Sequence, residues 1–170
     1  GLDIGSSSIK LVQLRETKKG IHLVNLSVAN LPPEAIVDGA LMNSSVIVET
    51  IREMTEKLKL KAKEVALSIS GHSVIIKKIG LPAMTQDELD ESIKWEAEQY
   101  IPFDVNDVYL DYQVLQSRPE QGQMDVLLVA AKREMVDEYA GIARDAGLEP
   151  VVVDVDCFTI QNTFETGYGF

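Results

Sequence analysis

The sequence has 170 residues, of which 45% are hydrophobic and 25% charged, and its formal net charge is −11. The length and composition are typical of a globular protein with a sizeable core, and the acidic balance argues against nucleic acid and anionic membrane surfaces as general partners. No apolar run of the sequence approaches the roughly 18 residues that a membrane-spanning helix needs.

Several segments have the short apolar runs and bounding turn residues that predict β-strands. They cover residues 2–4, 9–14, 21–31, 64–70, 74–79, 108–115, 124–131 and 151–155. The turn at Lys18–Gly20 makes a hairpin of the second and third strands, and Pro32-Pro33 end the third because proline cannot extend a ladder. The segment VDGALMNSS that follows is expected to be an extended loop with a bend at its glycine.

Other segments have the apolar spacing of helices. They cover residues 43–59, 85–101, 134–146 and 159–165. Asn43 or Ser44 is expected to cap the first helix. The second begins with the capping box Thr85–Glu88 and is closed by Pro102, and Gly147 stands where a glycine that ends the third helix is expected.

The order of these elements favours a mixed sheet. Strands outnumber the helices that could cross between them, so we expect a mixed-sheet α/β or α+β fold and not a doubly wound one. The valine-rich strands on either side of the middle block suggest an insertion into a parent sheet. We therefore place a parent domain over residues 1–72 plus 148–170 and an insert over residues 73–147.

The opening stretch LDIGSSSIK has small residues at a turn between two strands. Gly5 and Ser6–Ser8 can direct backbone N–H groups toward phosphate oxygens, and Lys10 can add a positive charge. Asp3 can hold a hydrated Mg²⁺. A tight hairpin with solvated serines and lysine explains the same residues equally well, so the residues themselves leave both interpretations open.

Other patterns that could carry chemistry are better explained by structure. The S-x-x-K pattern from Ser7 lacks the companion motifs of penicillin-binding enzymes and lies in a predicted strand. The carboxylates around Trp95 are expected to form a solvated helix face. His22 and His72 have no partners at metal-ligand spacing, so no metal site is predicted from them. The sole cysteine, Cys157, cannot form an internal disulfide, which fits a reducing compartment, and we expect its side chain to be buried.

The segment WEAEQYIPF concentrates aromatic and apolar residues in a chain with 6% aromatics. Its candidate contact residues are Trp95, Tyr100, Ile101, Pro102 and Phe103. They could pack the insert against the parent sheet, or some could line a groove for an apolar peptide. The sequence leaves both alternatives open.

Several stretches resemble the PilM family of type IV pilus assembly proteins. They are LDIGSSSIK, LPPEAIVDG, KKIGLPAM, WEAEQYIPF and VLLVAAKREMVDEY…AGLEPVVVDVD, and the similarity runs along nearly the whole chain. The PilM family is similar to the cell-division protein FtsA within the actin-like ATPase superfamily. The resemblance implies an α/β, ribonuclease H-like fold in which subdomain 1A is interrupted by an FtsA-like strand-helix-strand-strand subdomain, 1C. This agrees with the parent and insert predicted above.

The resemblance also implies site residues. The first phosphate loop of the family falls on Asp3, Gly5, Ser6, Ser7, Ser8 and Lys10. Asp3 would face Mg²⁺ through water when nucleotide is bound, and the others would surround the phosphates. The partner of the family is PilN, a membrane protein whose N-terminal cytoplasmic peptide docks between 1A and 1C. We place that partner site at Trp95 and residues 100–103, with part of the parent sheet.

The function implied is a cytoplasmic, nucleotide-binding scaffold that other pilus assembly proteins hold at the inner membrane. The second lobe of the actin-like clamp is absent from this chain. We therefore expect ATP and Mg²⁺ to bind in the full-length protein and not in this fragment. The full-length protein is expected to be at most a weak ATPase, and we assign no catalytic residue. An FtsA-like division scaffold and a sugar-kinase-type phosphotransferase stay open as alternatives, as does self-association through exposed strand edges. The chain starts within a strand and without a methionine, so we expect residues before Gly1.

Overall fold

A computed structural model describes residues 1–169, apart from the side chain of Pro119. The predicted parent domain ends at Phe170, which lies outside the described residues. The strands are β1 (Leu2–Ile4), β2 (Ser8–Thr17), β3 (Gly20–Asn30), β4 (Ile36–Val37), β5 (Ala40–Leu41), β6 (Glu64–Ile69), β7 (Val74–Pro82), β8 (Val108–Arg118), β9 (Gln123–Lys132) and β10 (Glu149–Val155). The helices are α1 (Ser44–Lys57), α2 (Gln86–Glu98), α3 (Arg133–Asp145) and α4 (Asp156–Tyr168).

The described chain divides into two compact units. The first comprises Gly1–Gly71 and the chain from Val136 onward, and the second comprises His72–Met135. The second unit is shorter than the insert that we predicted, because most of α3 lies in the first unit. The side chain of Arg52 in α1 donates a hydrogen bond to the carbonyl oxygen of Asp145 at the end of α3, which ties α3 to that unit.

The first unit contains a five-stranded mixed sheet in the order β10-β6-β1-β2-β3. Strand β2 runs antiparallel to β1 and β3, whereas β1 and β10 both run parallel to β6. Alternate residues of β1 and β2 are buried, which is the pattern of strands with one face on a core.

Helix α1 covers part of that buried face. Its side chains Ile47, Ile51 and Met54 are buried at helical spacing, and the helix contacts β2 and β3. The side chain of Asn43 accepts a hydrogen bond from the backbone N–H of Val46 at 3.3 Å, so Asn43 is the cap.

The second unit contains the antiparallel sheet β7-β9-β8, with α2 packed on one face. Buried side chains Leu89, Ile93 and Ala97 of α2 join the sheet residues in one core. The capping box of α2 forms as predicted between Thr85 and Glu88. Element order and packing thus follow the strand-helix-strand-strand pattern expected for the insert.

One predicted loop is a hairpin. The segment VDGALMNSS begins at the second residue of β4 and contains β5, and the two strands pair in antiparallel register. Asp38 and Gly39 connect them with φ angles of 50° and 84°, the left-handed conformation that a two-residue type I′ turn requires at both positions. Asp-Gly is a preferred sequence for that turn, so the signal was present in the sequence.

The expectation of a buried cysteine was wrong. Cys157 is exposed. It is the second residue of α4, which buries none of its described residues. The valine-rich run before it belongs to β10, in which only Val155 is buried, so an apolar run next to Cys157 did not indicate burial.

Candidate functional site

The turn between β1 and β2 brings the predicted phosphate-loop residues together. Asp3 and Lys10 are paired in the antiparallel register of the two strands, and Asp3 Oδ2 lies 2.9 Å from Lys10 Nζ. The backbone N–H of Gly5 donates to the carbonyl oxygen of Ser8 at 3.1 Å, which leaves Ser6 and Ser7 as the exposed residues of the turn. The predicted cradle is therefore a tight, solvent-facing turn with a charged pair at its base.

Glycine at position 5 is required by a close approach. A Cβ built there would lie 3.2 Å from Lys10 Nζ and 3.2 Å from the carbonyl oxygen of Ser8. The absence of a side chain lets the ammonium group of Lys10 sit directly beneath the turn. Space at the turn and a cation beneath it are the features that a phosphate group needs, so these residues fit a bound phosphate.

A second carboxylate lies on the same face of the sheet as Asp3. In β6, Leu67 pairs with Leu2 and Ser68 pairs with Asp154. Because successive side chains of a strand alternate between faces, Asp3 and Asp154 both lie on the face that carries Ser68. Sequence reasoning missed Asp154, although a polar residue inside the run VVVDVD was a usable signal.

The titration of the Tyr139 hydroxyl is affected by acidic residues of the first unit, including Asp3. The hydroxyl donates to the carbonyl oxygen of Gly39 at 3.1 Å. Burial raises the pKa of Tyr139 above its ordinary value, and the negative charges of Asp156, Glu138 and Asp3 raise this pKa further. Asp3 of the predicted phosphate loop thus lies close enough to Tyr139 to contribute to the rise in its pKa.

Metal binding by protein side chains alone is not supported in the part of the chain that the structure describes. Among residues 1–169, no three His, Cys, Asp or Glu side chains are grouped so that they could hold a metal ion. A Mg²⁺ ion at Asp3 would therefore need the oxygen atoms of phosphate and water as its other ligands.

The residues of WEAEQYIPF lie in different surroundings. Trp95 is 72% exposed, whereas Ile101 is buried in the core of the second unit. Tyr100 and Phe103 are partly buried and pack against that core, and Pro102 is exposed. Ile101 thus packs within the core of the second unit itself, whereas Trp95 packs in no core of the described residues.

A groove of about 670 Å³ lies beside the end of α2. Four residues of β7, 74–77, line one side, and residues 99–102 line the other. Strand β7 is an edge of its sheet, so its outer side carries backbone groups that no strand of that sheet pairs. Among the described residues, the lining includes Tyr100, Ile101 and Pro102 but neither Trp95 nor Phe103.

Basic side chains lie over three aromatic rings of the second unit. Lys77 Nζ lies 5.8 Å from the ring centre of Tyr100 and donates to its carbonyl oxygen at 3.2 Å. The two other pairs place Lys132 Nζ 4.7 Å from the ring centre of Phe103 and the guanidinium of Arg133 4.3 Å from that of Tyr109. Such contacts hold the basic side chains over the rings, and of the three pairs the Lys77–Tyr100 pair belongs to the groove lining.

No helix formed by the described residues has the length and apolar character needed to cross a membrane.

The chain matches several known proteins. A solved structure described as the PilM-PilN type IV pilus biogenesis complex is 32% identical, with a TM-score of 0.86 over 98% of this chain and 50% of that chain. The cytoplasmic domain of EpsL, an inner membrane component of the type II secretion system of Vibrio cholerae, matches with a TM-score of 0.56 over 91% of this chain and 56% of that chain. At 15% identity, this second likeness concerns the fold alone.

Two further comparisons concern the sequence. Type II secretion system protein L of Xanthomonas campestris pv. campestris is 39% identical over 62 residues, which are 36% of this chain and 16% of that protein. The chain thus spans about half of the solved PilM chain and a smaller part of the curated relative. The model of the family described as type IV pilus assembly protein PilM matches residues 1–168. These matches confirm the resemblance and the mixed α/β, actin-like fold class, and the chain belongs to the PilM family of type IV pilus assembly proteins.

Proposed function

We propose that this chain is the N-terminal lobe of a cytoplasmic, nucleotide-binding scaffold for type IV pilus assembly. The observation that carries the proposal is the family match over residues 1–168, supported by the solved relative, whose title describes a PilM-PilN complex. These matches favour a pilus scaffold over the division scaffold and the sugar kinase. The scaffold is held at the inner membrane through a PilN-like membrane protein and other pilus assembly proteins, and its own net charge of −11 would not attract it to anionic lipid.

The phosphate-loop residues are proposed to hold the phosphates of ATP together with the second lobe. Gly5 would leave room for the close approach of Lys10, Ser6–Ser8 would direct N–H groups at the phosphate oxygens, and Lys10 would contribute its charge. Asp3 would orient water on Mg²⁺, which supplies charge neutralisation when it is bound. Asp3 and Lys10 are 47% and 41% exposed, so both can turn toward such a ligand without desolvating a buried pair.

The groove along β7 is proposed to contribute to the binding of the N-terminal peptide of the PilN-like protein. An extended peptide can pair with an exposed strand edge through its backbone while alternate side chains enter the groove. Ile76, which is 39% exposed, offers an apolar contact there, and Lys77 and Tyr100 form a polar wall. Phe103 lies under Lys132 on the flank of this surface.

Calorimetric titration with a synthetic peptide that copies the cytoplasmic N-terminus of the PilN-like protein tests the proposal. We expect saturable binding, weakened by about tenfold in Ile76→Ser because an apolar contact within the groove is lost. Leu115→Ser is the matched control, since Leu115 is 49% exposed in the same unit and does not line the groove. Equal affinities of the two variants would exclude the β7 groove as the peptide site, and an absence of binding to the unsubstituted chain would contradict the scaffold function of this lobe.

A further inference from the structure

Helix α2 carries an exposed tryptophan on the face opposite its core. Ile93 and Ala97 are buried, and Trp95, two residues from each, points the other way with 72% of its surface exposed. Large exposed aromatic side chains are enriched at positions that bind partners. This position is distinct from the groove of residues 74–77 and 99–102.

Carboxylates flank the indole on both sides. Glu91 lies four residues before Trp95 and Glu98 three residues after it, so both stand about one helical turn away on the same face. Both are exposed, and neither has an ion-pair partner among the described residues. We call Glu91, Trp95 and Glu98 the Trp95 face.

Three other aromatic rings of this unit have the basic neighbour that Trp95 lacks. Tyr100, Phe103 and Tyr109 each have a lysine or arginine of this chain over the ring. Trp95 offers the most favourable ring for a cation, yet within residues 1–169 no basic side chain lies over it. An aromatic surface between two unpaired carboxylates is complementary to a cation from another molecule.

We propose that the Trp95 face binds a basic segment of a partner protein, with an arginine of that segment stacked on the indole. A guanidinium is planar, so it can lie flat on the ring while its edge donates to the carboxylates of Glu91 and Glu98. A lysine ammonium is a compact point charge that cannot do both as well. The face is a second interaction surface that does not depend on nucleotide or on the peptide groove.

Trp95 is the sole tryptophan, so its fluorescence reports binding at this face directly. We expect a hexa-arginine peptide to change the emission of the chain saturably at low salt and to bind about fivefold more tightly than a hexa-lysine peptide. The double substitution Glu91→Gln/Glu98→Gln should weaken arginine-peptide binding by at least about fivefold. Trp95→Leu, followed by calorimetry, should remove the preference for arginine over lysine.

The matched control is Glu49→Gln/Glu56→Gln, which removes the same charge from two exposed positions of α1. Only a small loss of affinity is expected, through the net charge of the protein. Equal losses in the two double variants, or equal affinity for the two peptides, would overturn the proposal in favour of general charge attraction. A Trp95 emission that changes with protein concentration alone would overturn it in favour of a second copy of this chain.

Discussion

Asp3 and Lys10 form an ion pair of 2.9 Å across β1 and β2, directly beneath the turn of Ser6 and Ser7. The pair links the two charged residues of the proposed nucleotide site to each other. Because both side chains are more than a third exposed, solvent screens the attraction and the pair adds little to folding. The role of the pair is to place the two charges directly beneath the turn, where a phosphate ligand would bind.

Replacing Lys10 by methionine separates these two roles. Lys10→Met should change the free energy of unfolding by no more than about 1 kcal/mol, measured by urea denaturation. In the full-length protein, the affinity for a fluorescent ATP analogue with Mg²⁺ should fall by about tenfold, because a phosphate contact is lost. Lys18→Met, at the exposed end of the β2–β3 hairpin, should leave that affinity unchanged. A similar loss in both variants would contradict the phosphate role of Lys10.

Alanine should have opposite effects at two glycines. Gly5→Ala places a Cβ 3.2 Å from the carbonyl oxygen of Ser8, and the backbone must shift to relieve the contact, so we expect a loss of about 1 kcal/mol. Gly141 lies inside α3 with nothing within 4 Å of a built Cβ, and Gly141→Ala should stabilise by up to about 1 kcal/mol. Thermal and urea unfolding measure both. An unchanged free energy of unfolding in Gly5→Ala would show that the turn accommodates the added Cβ without cost.

Removing the hydroxyl of Tyr139 should loosen the β4–β5 hairpin from α3. Tyr139→Phe leaves the carbonyl oxygen of Gly39 without its donor, and we expect a loss of about 1 kcal/mol at neutral pH. The pKa of Tyr139 is raised in the folded protein, so its stabilisation is complete below the ordinary value of 10.0 and is lost as the pH rises through the higher folded value. The free energy of unfolding of Tyr139→Phe should therefore fall less steeply with rising alkaline pH than that of the unsubstituted chain. Tyr168→Phe, at an exposed position, should follow the unsubstituted chain.

The capping box of α2 should make stability sensitive to acid. The backbone N–H of Thr85 donates to Glu88 at 2.8 Å, and together with the Thr85 hydroxyl it lowers the pKa of Glu88. A lowered folded pKa gives a contribution that is present above the ordinary value of 4.5 and is lost as the pH falls through the folded value. Glu88→Gln should flatten the acid limb of a stability profile between about pH 5 and pH 3, whereas Glu56→Gln should follow the unsubstituted chain.

The spacing of apolar residues predicted the helices and strands that have one apolar face and one polar face. Helices α1 and α2, with their caps, follow directly from apolar spacing and from the residues that precede the first turn. Strand β2 extends past its predicted end at Leu14 to Thr17, because its final residues are exposed on both faces and show no apolar alternation. The two-residue strands β4 and β5 are too short to show a period at all.

The candidate sites were predictable to different degrees. The phosphate-loop residues are adjacent in sequence, so one motif contains the whole turn. The place of Asp154 on the same sheet face as Asp3 depends on the pairing of β6 with both β1 and β10, which no local pattern reveals. The WEAEQYIPF cluster was grouped because its members are neighbours in sequence. Trp95 lies within α2 on the side opposite the buried Ile93 and Ala97, whereas Ile101 follows the end of the helix and is buried in the core.

The pairing of β6 with β10 has a consequence for the order of folding. These strands lie at Glu64–Ile69 and Glu149–Val155, so the first sheet cannot be completed until the residues up to Val155 have left the ribosome. The second unit, His72–Met135, is continuous in sequence and contains its whole sheet and helix. Local contacts form faster than distant ones, and domains fold as they emerge during synthesis. The second unit is therefore the part of the chain that can reach its native structure first, whereas β6 cannot complete its pairing until β10 has been synthesised.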